Sequence, residues 1–161
     1  MIVSGSVALA AAPGAVRAVL EDPETLSRAL PNVDRFGWSD GPAEGSFAVT
    51  IRPALALGEI PVRTVWQRLE STGVADAASA EASADGPLRY RVEGRTDEQR
   101  VDLDVLLEIA PGDSAAASRV SWQLGVHVTG TLRAAGQRVI APIVERQVRL
   151  VLEAAGEEAA R

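Results

Sequence analysis

Cysteine and lysine are both missing from this chain of 161 residues, and histidine occurs once, at position 127. Without cysteine there is no disulfide, no thiolate nucleophile and no sulfur ligand for zinc or an iron–sulfur cluster. One histidine also excludes, within a single chain, the site of two histidines and a carboxylate used by non-haem iron oxygenases. The absence of lysine is read as codon bias, since all 16 basic residues are arginine and no charge argument requires it. No GxGxxG, P-loop, GxSxG or HExxH motif is present.

Long apolar runs are missing too. Nothing approaches the roughly 18 to 20 residues that span a bilayer, and the opening stretch MIVSGSVALAAAPG lacks the basic segment of a signal peptide. A cytoplasmic protein with at most peripheral membrane contact is expected. The net charge of −6, with arginines scattered among acids, argues against nucleic acid as a partner. At this length, and with 47% hydrophobic and 24% charged residues, residues 1–161 read as one domain that buries its own core.

What is present is a pattern of strands closed by a helix. Ile2 to Leu9 reads as a strand, after which Ala12-Pro13-Gly14 opens a short helix over Gly14 to Leu20. Asp22-Pro23 ends that helix and starts a second, Glu24 to Leu30, stopped by Pro31-Asn32. Val33 to Ser39 and Ser46 to Leu55 read as a hairpin around Asp40-Gly41-Pro42, and Pro61 to Leu69 as a further strand. Ser71 to Gly86, rich in small residues, reads as a loop. Leu88-Tyr90-Val92, Val101 to Ile109 and Val120 to Val128 then alternate apolar and polar residues, so each of these strands has one wet face.

Charges on that wet face suggest a register. A two-residue turn at Thr96-Asp97 pairs Arg95 with Glu98, Glu93 with Arg100, Arg91 with Asp102 and Arg89 with Asp104. A shift by two residues sets Arg95 against Arg100 and Glu93 against Asp102, and is expected to lose by a few tenths of a kcal/mol per pair. Asp102 and Asp104, which as neighbours on one face could serve acid–base chemistry, are therefore read as members of a solvated ion-pair face. His127 is read as a surface residue rather than a general base.

Thr131 to Ala155 reads as one long amphipathic helix, with Leu132, Ala135, Val139, Ile143, Val148, Val151, Leu152 and Ala155 on its apolar side and Pro142 bending it. The resulting class is α+β: about seven antiparallel strands wrapped on a long C-terminal helix, with two short helices after the first strand.

Ala12-Pro13, Val16, Leu20, Asp22-Pro23-Glu24, Leu26 and Leu30-Pro31, followed by strands and a helix introduced by Thr129-Gly130-Thr131-Leu132 and Gly136, resemble the helix-grip superfamily. That superfamily includes START and birch-pollen-allergen proteins (SRPBCC). Within it the chain is most similar to the CoxG proteins of carbon monoxide dehydrogenase. The resemblance implies a cavity for an apolar small molecule between sheet and closing helix, a quinone or lipid-like ligand being the class implied. It also implies an accessory role beside a CO-dehydrogenase-type molybdenum hydroxylase. No cofactor, metal ligand or catalytic residue is expected.

On that resemblance the cavity is expected to be lined by Phe47, Trp66, Tyr90, Leu103, Trp122, Leu124, Val139 and Ile143. Trp66, Tyr90 and Trp122 each combine aromatic surface with a polar handle, which suits a flat apolar ligand bearing a carbonyl or hydroxyl. Arg52 or Thr64 could add a polar contact. Two other readings stay open: a cyclase- or hydrolase-like enzyme, which needs acids or bases in the cavity, and a purely structural accessory subunit with a filled core.

Overall fold

The structure is a computed structural model that describes residues 1–30, 33–38, 46–51, 54–55, 58–59, 61–69 and 86–161. Along the chain come strand β1 (Ile2–Leu9), helices α1 (Pro13–Glu21) and α2 (Pro23–Ala29), and strands β2 (Val33–Trp38), β3 (Ser46–Ile51), β4 (Ala54–Leu55), β5 (Gly58–Glu59) and β6 (Val62–Leu69). Strands β7 (Leu88–Arg95), β8 (Gln99–Pro111) and β9 (Ser118–Gly130) follow, and helix α3 (Gln137–Ala159) closes the fold. Seven strands form one antiparallel sheet in the order β1-β9-β8-β7-β6-β3-β2. Of the expected strand Ser46 to Leu55, Ser46–Ile51 pairs in this sheet and Ala54–Leu55 pairs as β4 with β5 in a two-stranded sheet, positions 52–53 lying outside the described residues. Pro31-Asn32, Asp40-Gly41-Pro42 and most of the expected loop, positions 71–85, lie outside the described residues.

The two short helices start on prolines, where a missing N–H costs nothing. Asp22 serves both. Its backbone N–H donates to the Val19 carbonyl at the end of α1, and its carboxylate accepts from the Thr25 hydroxyl (2.6 Å) and the Glu24 N–H (3.2 Å) at the start of α2. The Thr25 hydrogen bond, the largest influence, holds the Asp22 carboxyl below its ordinary 3.8. The corner so made buries Val16, Val19, Leu20, Leu26 and Leu30.

Strand parity sends Val101, Leu103, Val105, Leu107 and Ile109 of β8 to the same face as Val120, Trp122, Leu124, Val126 and Val128 of β9. The helices cover this inner face. Gly5 lies opposite Trp122 in the β1–β9 pair, and a Cβ at that position would sit 2.6 Å from the indole. The missing side chain is the space that the Trp122 ring occupies.

The expected register of the β7–β8 hairpin is corrected. Arg95 pairs with Arg100, Glu93 with Asp102 and Arg91 with Asp104, joined by a longer loop in which the Thr96 N–H donates to the Gln99 carbonyl. The Thr96 hydroxyl also accepts the Gln99 N–H at 3.1 Å, a local turn that a two-residue connection has no room for. Directly opposed like charges do not decide the matter because long side chains reach their neighbours diagonally. Arg100 contacts both Glu93 and Asp102 at 3.0 Å, Arg95 pairs with Glu93 along its own strand, and Arg91 meets Asp104 at 3.3 Å. A shift of two residues keeps every apolar side chain on the inner face, so the sequence pattern admits either register.

The single helix expected over Thr131 to Ala155 is also corrected. A 3-10 turn, Thr131–Ala135, comes first, and Gly136 at φ +73° separates it from α3, which continues to Ala159. Ile140, Leu152, Ala155 and Gly156 form the buried face of α3, with Val144, Val148 and Val151 half-buried beside them. Val139 and Ile143, expected inward, are 50% and 41% exposed. Two adjacent apolar stripes compete on this helix, and Gly156 settles the choice. A Cβ there would meet Leu9 Cδ2 at 2.9 Å, so α3 approaches β1 through its glycine and turns the Ile140 stripe toward the sheet. Pro142 lies inside α3, as read from the sequence, and is exposed.

Candidate functional site

The inner face of the sheet is where the expected site residues meet. Registers place Leu124, Val105, Tyr90 and Arg68 in one row across β9, β8, β7 and β6, and Val126, Leu103, Val92, Trp66 and Phe47 in the next row, which extends to β3. The aromatic members touch. Phe47 stacks on Trp66 with centroids 5.7 Å apart, Trp66 meets Tyr90 edge-on at 6.2 Å, and Phe36 packs on Phe47 at 5.9 Å.

Burial divides these residues. Phe47, Tyr90, Trp122 and Leu124 are buried, whereas Trp66 and Leu103 are half-buried, as are their inward-facing neighbours Val101, Val105 and Val128. An apolar strip of the inner face therefore keeps contact with solvent where the sheet approaches the start of α3. Val139 and Ile143 stand outside this arrangement, because α3 turns them to solvent.

Two of the polar handles are already engaged. The indole N–H of Trp66 donates to the Thr64 hydroxyl at 2.8 Å, and that hydroxyl donates in turn to the Val49 carbonyl at 2.8 Å. Thr64 thus acts through Trp66, fixing the ring, while Arg52 lies outside the described residues. The Tyr90 hydroxyl donates to the Leu20 carbonyl at 2.5 Å, satisfying an acceptor left open at the end of α1. Burial is the main reason the Tyr90 phenol is pushed up to about 12, since the charged phenolate would lose its hydration there.

The outer face is chemically different. It bears a depression of about 350 Å³ lined by Val65, Gln67 and the ion-paired Arg91, Glu93, Arg100, Asp102 and Asp104. Each of these charges is engaged in an ion pair, as expected of a solvated ion-pair face. His127 sits opposite Asp102 on the same side and is exposed. Among the described residues no three His, Asp or Glu side chains gather as metal ligands, and no helix is long and apolar enough to cross a membrane.

This architecture is that of the helix-grip proteins, and a family model places it further. The model for CoxG, a subunit of carbon monoxide dehydrogenase, matches residues 5–158. The chain belongs to the CoxG family. Solved structures similar to this CoxG-family chain include a conserved protein from Geobacillus kaustophilus, 16% identical with a TM-score of 0.77, covering 99% of this chain and 95% of that one. A START superfamily protein from Mycobacterium smegmatis is 10% identical with a TM-score of 0.64, covering 98% and 96%. The ZhuI aromatase/cyclase from Streptomyces sp. R1128 is 16% identical with a TM-score of 0.62, covering 100% and 94%. No curated protein matches the chain.

At these identities the solved structures establish the fold and nothing finer. Arg68 is the residue that reading the CoxG-family sequence missed. It lies at an inward position of β6, beside Trp66, and the alternation of Val62, Thr64 and Trp66 was the signal that could have found it.

Proposed function

We propose that this CoxG-family chain binds a lipophilic small molecule, of quinone or lipid-like character, against the inner face of the sheet beneath the first half of α3. It holds the ligand without transforming it. The observation that carries this reading is the half-buried apolar strip of Trp66, Val101, Leu103, Val105 and Val128, which lies in the same sheet face as buried Phe47, Tyr90, Trp122 and Leu124. A folded chain gains by covering such surface, at roughly 25 cal/mol per Å². The engaged donors of Trp66 and Tyr90 favour holding over turnover, since both groups already serve the protein's own acceptors.

In this reading residues 1–161 act as one cytoplasmic domain, as an accessory to a molybdenum hydroxylase of the CO-dehydrogenase type. Family membership supports that partner class. The test is native mass spectrometry of protein purified gently from its own host, with solvent extraction of whatever is released. A stoichiometric lipophilic species is the expected result, and its yield should fall in Trp66→Ala and Leu103→Asp variants. A bare mass overturns the carrier reading in favour of a purely interacting subunit.

A further inference from the structure

On the described strands β1, β3 and β6 to β9, the inward register positions carry one charged side chain, Arg68. It stands opposite Tyr90 in the β6–β7 pair, at the edge of the aromatic row. A cation here faces an apolar surface, and among the described residues its ionic partner is Glu21, at the end of α1, with Nη2 3.0 Å from Oε1.

That partner is shared. Arg17 Nε also lies 3.0 Å from the same Glu21 oxygen, and Arg17 is held further by donating to the Gly86 carbonyl at 2.8 Å. The Glu21 carboxylate is divided between two guanidiniums, and Arg17 is the more buried of the two, with a side chain 14% exposed against 43% for Arg68. Arg68 uses one of its five N–H donors in this contact, leaving a planar fork able to take an oxyanion in two parallel hydrogen bonds. Trp66 lies two residues earlier on the same face, in the row that runs through Val92 to Leu103, while the row of Arg68 runs through Tyr90 to Val105.

Resting on the carrier reading above, we infer that Arg68 is a head-group selector: the inner face prefers an amphiphile whose apolar body lies along Trp66, Leu103 and Val105 and whose carboxylate or phosphate end is taken by Arg68 in competition with Glu21. A neutral ligand of the same shape gains only the apolar contacts. Glu21 thus acts as a built-in competitor that keeps Arg68 paired when the site is empty.

The test uses the full chain and two probes of one shape, cis-parinaric acid and its methyl ester, titrated by fluorescence. The acid is expected to bind at least about tenfold more tightly than the ester, the scale of a charged hydrogen bond. Arg68→Gln should remove that preference while leaving the ester's affinity in place, and Glu21→Gln should strengthen the acid several-fold. The ester also controls for folding, because a variant that still binds it retains the site. Equal binding of acid and ester by the unaltered protein overturns the inference and leaves the carrier reading standing. Failure of both probes to bind overturns the inference, while the carrier reading is decided separately by the native mass measurement. Palmitoyl phosphate, added as a competitor, separates the two head groups: displacement of the acid probe extends the preference to phosphates, and failure to displace it confines the preference to carboxylates.

Discussion

The two ends of the inner face are built from the same residue types and behave differently. At one end Leu9, Val16, Leu20, Ile109, Val120, Leu152 and Ala155 are all buried, and Gly156 lets α3 come down onto Leu9. At the other, Val101, Leu103, Val105 and Val128 are half-buried, while Val139 and Ile143 near the start of α3 are exposed. Both ends are rich in valine and leucine, so hydrophobicity does not distinguish them. The difference is one of contact: α3 meets Leu9 of β1 through Gly156 at its far end, whereas in its first half, after Gly136, Ile140 is the one buried residue. One helix thereby closes a core at one end and leaves apolar surface partly uncovered at the other.

Truncations along α3 should expose this contrast most strongly. Leu152→Ala, at a site 1% exposed, is expected to cost about 3 kcal/mol of folding stability, whereas Ile143→Ala should cost less than about 0.5 kcal/mol. Denaturant titration of the two variants measures the gap, and similar losses would refute the division. Next in size, Gly156→Val should push α3 off Leu9 and cost about 2 kcal/mol, read as a lowered thermal midpoint.

Tyr90 lies between the two ends and is the only tyrosine, so its ionisation can be followed alone in the near ultraviolet. Its pKa is raised in the fold, from 10.0 to about 12, so the stability tied to the neutral phenol is complete below pH 10.0 and is lost as pH rises to about 12. A tyrosinate signal appearing at an ordinary pH would mean that the closed end stops short of Tyr90. Tyr90→Phe should remove the bond to Leu20 for a loss of about 1 kcal/mol and flatten that alkaline dependence.

Smallest, Asp22→Ala should cost about 0.5 to 1 kcal/mol at neutral pH by uncapping α2 at the closed end. The lowered pKa of Asp22 means that its contribution is present above 3.8 and disappears as pH falls below that value. The wild type and the variant should therefore converge in acid, and stability curves that stay parallel there would show that the carboxylate is not the capping group.

Element order, the two proline-started helices, the inward faces of β7 to β9 and membership of the helix-grip class were legible in the linear sequence. Each rests on a local rule, a period of two or of three to four residues, or a proline that blocks a helix, and local rules need no partner to be read. Phe47, Trp66, Tyr90, Leu103, Trp122 and Leu124 were singled out on this basis together with the family resemblance, and the registers place all six on one face of the sheet. Three things were decided only by tertiary structure. The β7–β8 register was decided at the turn, because a shift of two preserves the alternation and diagonal ion pairs satisfy the charges either way. The phase of α3 was decided by Gly156 against Leu9, because two neighbouring apolar stripes look equivalent until one of them meets the sheet. The pairing of Arg68 with Glu21, residues 47 positions apart, depends on where the end of α1 comes to lie relative to β6, a contact no periodicity encodes.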